Sequence, residues 1–221
     1  MKDLNKYIDH TNLKPFATST DIEKLCAEAR EYDFASVCVN PANVSLAKKL
    51  LEGSDVMVCT VIGFPLGQNT TEVKVAETEN AHALGCDEFD MVINVGLLKD
   101  RQLDTVRDEI AAVVTAAKGK TVKVIIETGL LTDEEKAIAT RLSCEAGAHF
   151  VKTCTGFSAG VATPDDVRIM RENVSGNVKI KASAGIRSYT DAKALIEAGA
   201  ERLGTSAGIA VIREALENAQ N

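Results

Sequence analysis

Residues 149–206 read HFVKTCTGFSAGVATPDDVRIMRENVSGNVKIKASAGIRSYTDAKALIEAGAERLGTS, and this stretch decides the fold. Short apolar runs alternate in it with segments whose apolar residues recur at helical spacing. The runs lie at 149–152, 178–182 and 201–204, and the helical segments lie at 165–172 and 190–198. Strands that alternate with amphipathic helices form βαβ units, and consecutive units place their strands in one parallel sheet.

The same alternation extends back to the N-terminus. Further strands are predicted at 36–39, 55–62, 88–95 and 121–127, with a weaker one at 6–10, and further helices at 21–32, 73–84, 103–117, 134–146 and 209–219. Eight such units are the requirement for a barrel. The alternative, an open doubly wound sheet, usually carries a glycine-rich dinucleotide loop after its first strand, and the sequence has none. We therefore expect an α/β fold, a (β/α)₈ TIM barrel in a single domain over residues 1–221.

Local signals mark several helix starts. Thr20 with Glu23, and Thr132 with Glu135, have the spacing of a capping box. Thr163 precedes a proline that suits the first position of a helix. These signals support the helix positions predicted from periodicity.

The composition is that of a globular protein. Of the 221 residues, 45% are hydrophobic and 26% are charged, which excludes a disordered chain. The net charge of −7 gives no overall attraction to nucleic acid or to an anionic membrane. The apolar stretches are too short to cross a bilayer, and no apolar signal-peptide segment follows the N-terminus. We therefore expect a cytoplasmic protein.

Cysteine and histidine show no metal-binding pattern. The six cysteines include no C-x-x-C pair, and the three histidines lie far apart along the chain. We expect scattered, reduced thiols and no metal site. Cys38 and Cys154 lie near predicted strand ends, but neither has an obvious histidine partner, so thiol catalysis is not expected.

Two lysines follow predicted strands at the end where a barrel holds its active site. Lys152 and Lys181 end adjacent strands, so we expect both to point into one cavity. Two ammonium groups in a confined site repel, and one of them loses its proton more readily. A neutral amine forms a Schiff base with a carbonyl, so the pair predicts imine catalysis without saying which lysine attacks. The alternative is that each lysine simply pairs with a carboxylate.

Three carboxylates lie near the same strand ends. Asp90 lies within an apolar strand, where it partners a lysine, acts as a general base, or does both. Asp9 and Glu127 are weaker candidates, because either could simply balance the lysine charges.

Small residues after the last three strands predict an anion site. Gly156 and Gly185 follow two of these strands, and the run GTSAG at 204–208, which includes Gly204 and Ser206, opens the last helix. Free backbone N–H groups at a helix start bind phosphate, and barrels often place such a site after strands seven and eight. Each turn alone is a weak signal, but their shared location favours phosphate binding.

At these residues the sequence resembles the deoxyribose-phosphate aldolases, a family of class I aldolases. The resemblance runs nearly from end to end of the chain. The motifs that carry it are IDHT (8–11), SVCVNP (36–41), VIGFPLG (61–67), EFDMVIN (88–94), FVKT (150–153), TGF (155–157) and KASAGIR (181–187).

The resemblance implies a function and residue roles. Lys152 would form the Schiff base, Lys181 would tune its amine and Asp90 would handle protons. Binding of the sugar phosphate is assigned to Asp9, Thr155, Gly156, Gly185, Gly204 and Ser206. The implied reaction is the reversible cleavage of 2-deoxy-D-ribose 5-phosphate to D-glyceraldehyde 3-phosphate and acetaldehyde, in deoxynucleotide breakdown. It needs no metal or organic cofactor, and family members are typically homodimers or homotetramers.

The sequence departs from the family in three places. Cys154 stands where the family usually has serine, and Ala184 where it usually has glycine. The chain also has no C-terminal tyrosine, which some members use in proton transfer, so we expect a water held by Asp90, Lys181 and Thr155 instead. The alternative functions are an isomerase, a transaldolase-like transferase, and a non-catalytic barrel that binds a sugar phosphate.

Overall fold

Eight parallel strands close into a barrel in the order of the sequence, with the last strand beside the first. The structure, a computed structural model, describes residues 3–158 and 160–220. Asp9 on the first strand lies opposite Gly204 on the last, which closes the sheet and confirms the predicted (β/α)₈ barrel. The strands are β1 (Ile8–Asn12), β2 (Ser36–Val39), β3 (Met57–Ile62), β4 (Glu88–Val92), β5 (Thr121–Ile125), β6 (Phe150–Lys152), β7 (Lys179–Ser183) and β8 (Arg202–Thr205).

Helices surround the barrel and connect its strands. The predicted helices are all present, and their ends differ from the prediction by no more than two residues. In the described part of the chain, no helix is both long enough and apolar enough to cross a membrane. The helices are α1 (Ser19–Glu31), α2 (Val44–Leu50), α3 (Thr71–Ala83), α4 (Val95–Lys99), α5 (Leu103–Ala116), α6 (Asp133–Glu145), α7 (Pro164–Asn173), α8 (Tyr189–Ala198) and α9 (Gly208–Gln220).

The two helices that the sequence does not predict, α2 and α4, are also the shortest. They contain seven and five residues, which is too few for a helical period to be distinguished from an apolar run. The predicted strand at 88–95 overran the start of α4 for this reason. β4 ends at Val92, and the Asn94 side chain accepts a hydrogen bond from Leu97 N–H to begin α4.

The predicted start of α1 is wrong by two residues. The hydroxyl of Thr18, not Thr20, accepts the hydrogen bond from Asp21 N–H, and the Asp21 carboxylate accepts one from Thr18 N–H. Thr20 lies inside the first turn of the helix instead. The other two predicted caps, at Thr132 and Thr163, are present.

The apolar core lies between the sheet and the helices, whereas the inside of the barrel is charged. Successive side chains of a strand point to opposite faces. On β4, Phe89 and Met91 pack in the apolar core, while Glu88 and Asp90 face other strands of the barrel. Barrel interiors are usually filled by branched apolar residues. Charges in these positions therefore indicate a functional interior.

Candidate active site

Lys152 and Lys181 meet at a single carboxylate oxygen. The two residues are direct neighbours on β6 and β7. The Nζ atom of Lys152 donates a hydrogen bond to Asp90 Oδ2 at 2.8 Å, and the Nζ atom of Lys181 donates to the same oxygen at 2.6 Å. The structure thus brings together the three residues to which sequence analysis assigned catalysis.

A third lysine, Lys123, lies in the barrel and was missed by sequence analysis. It is fully buried on β5, and its Nζ atom lies 2.5 Å from Glu88, 3.0 Å from Asp90 and 3.4 Å from Asp9. The available signal was its position between two valines of a buried strand, where a lysine needs a carboxylate partner. Only the fold shows which carboxylates these are.

Asp9 lies below the cavity rather than on its wall. It is fully buried, and its carboxylate lies 2.5 Å from the Nζ atom of Lys181 and 2.7 Å from Arg202. The assignment of Asp9 to substrate binding therefore does not fit its position, because Asp9 is fully buried and is not among the residues that line the cavity. The other reading of Asp9, that it balances lysine charge, fits these contacts.

Basic groups outnumber acidic groups in this layer of ion pairs. Burial alone would lower the pKa of Lys181, but the carboxylates of Asp9 and Asp90 raise it above its ordinary value. Burial alone would raise the pKa of Asp90, but the surrounding lysines hold it well below its usual range. The basic residues are Lys123, Lys152, Lys181 and Arg202, and the acidic ones are Asp9, Glu88 and Asp90.

Lys152 has fewer carboxylate contacts than the other two lysines of this layer. An arginine such as Arg202 stays charged, and Lys123 and Lys181 each contact more than one carboxylate. Within residues 3–158 and 160–220, the Nζ atom of Lys152 forms an ion pair with Asp90 alone. Lys152 therefore differs from the other two lysines in its surroundings, since it has a single carboxylate partner and lines the cavity.

A cavity of about 770 Å³ opens above Lys152 at the carboxyl ends of the strands. Asp90 and Lys181 lie beneath it and are fully buried, so a ligand in the cavity meets Lys152 first. The predicted site residues that line the cavity are Lys152, Thr155, Gly156, Gly204 and Ser206.

Two residues with left-handed backbone directly follow β7. Gly185 has φ 82°, and a Cβ atom there would approach Val161 to 2.9 Å, so this position requires glycine. Ala184, which lines the cavity, has φ 77°, a conformation that strains any residue with a Cβ atom. The departure from the family at Ala184 therefore lies at the site itself and has an energetic cost.

Glu127 forms no ion pair with any lysine of residues 3–158 and 160–220, contrary to one expectation. Its buried carboxylate accepts a 2.6 Å hydrogen bond from Thr155 Oγ1, and Thr155 N–H lies 3.3 Å from both carboxylate oxygens. Glu127 follows β5 with a left-handed backbone (φ 57°), which ends the strand two residues before the predicted end. The carboxylate therefore supports the loop after β6, which lines the cavity.

The cysteines near the site are buried. Cys59 Sγ lies 3.2 Å from Asp90 Oδ1, and burial raises the pKa of this thiol well above its ordinary value. Cys154 lies instead beside Thr128, at 3.2 Å. Cys38, Cys59 and Asp90 place ligand atoms within 4.8 Å of one another, but lysine ammonium groups already bind the carboxylate and oppose a cation there.

Comparison with known proteins leads to one family. The family described as DeoC/LacD family aldolase matches residues 4–218. The deoxyribose-phosphate aldolase of Streptococcus gordonii is 60% identical over 210 residues, which cover 95% of this chain and 96% of that protein. The deoxyribose-phosphate aldolase of Clostridium perfringens is 61% identical over 209 residues, covering 94% and 93%. The tetrameric deoxyribose phosphate aldolase from Aeropyrum pernix superposes with a TM-score of 0.89 at 35% identity, covering 98% of this chain and 92% of that one.

Proposed function

The chain belongs to the DeoC/LacD aldolase family, and from this premise we propose that Lys152 is the Schiff-base nucleophile of a class I aldolase. The enzyme reversibly cleaves 2-deoxy-D-ribose 5-phosphate to D-glyceraldehyde 3-phosphate and acetaldehyde, a step of deoxynucleotide breakdown. The observation that carries the assignment of the nucleophile is the position of Lys152. Its amine faces the cavity above an Asp90–Lys181 pair that stays charged.

The chemistry follows from a neutral amine at Lys152. The amine adds to the C1 aldehyde of the open-chain sugar, and the carbinolamine loses water to give an iminium ion. A base removes the proton of the C3 hydroxyl, C3 becomes a carbonyl, and the electron pair of the C2–C3 bond moves into the iminium. D-glyceraldehyde 3-phosphate leaves, the enamine is protonated at C2, and hydrolysis releases acetaldehyde and the free amine.

Lys181 and Asp90 prepare Lys152 for this role. The ammonium group of Lys181 places a fixed positive charge beside Lys152, which favours the neutral form of the attacking amine. Asp90 Oδ2 accepts hydrogen bonds from both lysines and so fixes the direction of the Lys152 amine.

The phosphate group binds in the cavity beside the start of α9. Gly156, Gly204 and Ser206 line the cavity, and the chain after Ser206 continues directly into α9, whose N-terminal N–H groups favour an anion. Gly185 lets the loop after β7 approach Val161 in the loop after β6. Phosphate binding remote from the reacting bond orients C1 towards Lys152.

Borohydride trapping tests the covalent step. Reduction in the presence of 2-deoxy-D-ribose 5-phosphate should leave a two-carbon or five-carbon adduct, which peptide mapping places on Lys152. Lys152→Met should lose the adduct, whereas Lys179→Met should retain it, because Lys179 is an exposed residue at the other end of β7. An adduct elsewhere, or none, contradicts the assignment. Release of acetaldehyde separates the lyase from an isomerase, a transferase or a non-catalytic barrel.

A tetrameric relative and exposed apolar side chains both favour an oligomer. We propose a homodimer or homotetramer of single-domain barrels, in keeping with the tetrameric aldolase from Aeropyrum pernix. Apolar side chains at the mouth of the barrel, including Phe16 and Leu66, are about three-quarters exposed and would be covered in an oligomer. Light scattering that gave the mass of one chain at micromolar concentration would contradict this.

A charged sugar phosphate does not cross a bilayer freely, so we place the enzyme in the cytoplasm, where deoxynucleotides are degraded.

A further inference from the structure

Asp90 is poorly suited to remove the proton of the substrate C3 hydroxyl. Its Oδ2 atom accepts hydrogen bonds from Lys152 and Lys181, and its Oδ1 atom accepts from Lys123 and Cys59. These contacts hold the pKa of Asp90 well below its usual range, and a base of such low pKa is weak at neutral pH. The reaction needs a second proton acceptor near Lys152.

Glu127 is a buried carboxylate without a cationic partner. In the described part of the chain, no lysine, arginine or histidine nitrogen forms an ion pair with it, and Thr155 supplies its hydrogen bonds through the hydroxyl and backbone N–H groups. This distinguishes it from Asp9, Glu88 and Asp90, each of which is bound by at least two basic side chains. A carboxylate free of cations can accept a proton at a lower cost.

The hydrogen bonds of Thr155 give its hydroxyl a defined direction. A hydroxyl has one proton and two acceptor positions. The proton of Thr155 Oγ1 is donated to Glu127 Oε2 at 2.6 Å, and one acceptor position is taken by Phe157 N–H at 3.1 Å. One acceptor position is left, and Thr155 lines the same cavity as Lys152. Thr155 is thus set to accept a hydrogen bond from a substrate hydroxyl.

The backbone of Glu127 supports a functional role. The residue has φ 57° and ψ 64°, a left-handed conformation that is strained for a residue with a side chain. Such strain persists where the surrounding structure holds it, and it is concentrated at functional sites. Here the strained turn directs the carboxylate to Thr155.

We propose that Glu127 accepts the C3 hydroxyl proton of the substrate through the hydroxyl of Thr155. This inference rests on the proposed function and deepens it. As the C2–C3 bond breaks, the C3 hydroxyl gives its proton to Thr155 Oγ1, and Thr155 gives its own proton to Glu127 Oε2. Glu127 is then a neutral acid. The reverse transfer returns one proton through Thr155 to C2 of the enamine, so the carboxylate is restored in each turnover. Thr155 touches the substrate, and Glu127 is a positioning residue that acts through it.

Glu127→Gln tests the relay, because an amide keeps the size and the acceptor oxygen but cannot take up the proton. We expect kcat to fall on the order of 100-fold, the usual scale of general acid–base catalysis. Exchange of deuterium from D₂O into C2 of acetaldehyde should fall in parallel. Borohydride trapping of acetaldehyde on Lys152 should be retained, since imine formation does not need this proton. A purely structural role would instead weaken trapping and raise KM.

Two further variants complete the test. Thr155→Val should lower kcat and exchange to a similar extent, and the double variant should lose little more than either single one, because the two residues act in series. Should Glu127→Gln fail to fold, Thr155→Val alone decides, since it leaves the carboxylate in place. Glu77→Gln is the matched control, because this half-buried glutamate accepts a 2.7 Å hydrogen bond from Gly63 N–H and should retain wild-type activity.

The outcomes separate the relay from the proposed function. Near-normal kcat or exchange in Glu127→Gln or Thr155→Val overturns the relay while the aldolase assignment stands. Failure of the wild-type protein to release acetaldehyde or to form the Lys152 adduct instead overturns the proposed function itself.

Discussion

Lys152 and Lys181 are the same amino acid at neighbouring positions, but the structure gives them different surroundings. Lys181 is enclosed by Asp9 and Asp90 and stays protonated. Lys152 shares Asp90 but faces the cavity. The difference of one carboxylate contact and one side open to the cavity is the basis for proposing Lys152 as the nucleophile and Lys181 as a fixed charge.

Replacing Lys181 with leucine should reduce both turnover and stability. The structure places this ammonium group between two buried carboxylates, Asp9 and Asp90. Removing one partner of a buried ion pair typically costs about 3–5 kcal/mol. In Lys181→Leu, the free energy of unfolding measured in urea and the rate of acetaldehyde release should therefore both fall. Lys179→Met should change neither quantity. Near-normal turnover would remove Lys181 from the mechanism.

Ala184 offers a gain in stability at the cavity wall. At φ 77° an alanine is strained by about 1–2 kcal/mol, whereas glycine is not. Glycine loses about 0.5–1 kcal/mol more in backbone entropy on folding, so Ala184→Gly should raise the free energy of unfolding by a net amount of up to about 1.5 kcal/mol. Urea denaturation checks the sign. A less stable variant would show that the methyl group contributes packing that outweighs the strain.

At the scale of elements, hydrogen bonds between side chains and backbone set where strands stop and helices begin. Asn94 begins α4 by accepting from Leu97 N–H, and the left-handed Glu127 ends the predicted fifth strand early. Both turns lie at the carboxyl ends of strands, where the chain must leave the barrel wall and present side chains to the cavity.

The cap of α1 gives a paired test of these boundaries. Thr18→Ala removes the hydroxyl that accepts from Asp21 N–H and should lower the free energy of unfolding by about 1 kcal/mol. Thr20→Ala is the control, because Thr20 is exposed within the first turn and alanine has the better helix propensity. Equal losses in the two variants would contradict the assignment of Thr18 as the cap.

Sequence patterns predict features that neighbouring residues determine, and they do not predict contacts between residues that are distant along the chain. The strand and helix order follows from periodicity, and Lys152, Lys181 and Asp90 were recognisable because a charge in or after an apolar run is unusual. The contacts of Lys123 and Arg202 join strands that are distant in sequence, so no local sequence pattern identifies their carboxylate partners. The hydrogen bond between Glu127 and Thr155 could not be predicted for the same reason. The left-handed backbone of Glu127 is also a conformation that residue propensities do not predict.

At the scale of the whole molecule, the barrel is closed around a charged layer rather than an apolar one. Carboxylates from β1 and β4 meet basic groups from β5, β6, β7 and β8, so the layer ties opposite walls of the barrel together. Its charge state therefore links the stability of the fold to the chemistry of the site.

The pH dependence of stability should show this link. The pKa values of Asp9 and Asp90 lie well below their usual range, so their contribution is complete above about pH 4 and is lost as pH falls through the folded values. The pKa values of Lys123 and Lys181 are raised, so their contribution is complete below about pH 10 and is lost as pH rises through the folded values. The free energy of unfolding in urea should therefore form a plateau across neutral pH and fall at both acidic and alkaline pH.

Asp9→Asn should be less stable than the wild type on the plateau and approach it in acid, where Asp9 becomes protonated. A difference between the two proteins that stays constant down to about pH 2 would show that folding does not lower the pKa of Asp9, and it would contradict the pairing of this carboxylate with Lys181 and Arg202 in the folded barrel.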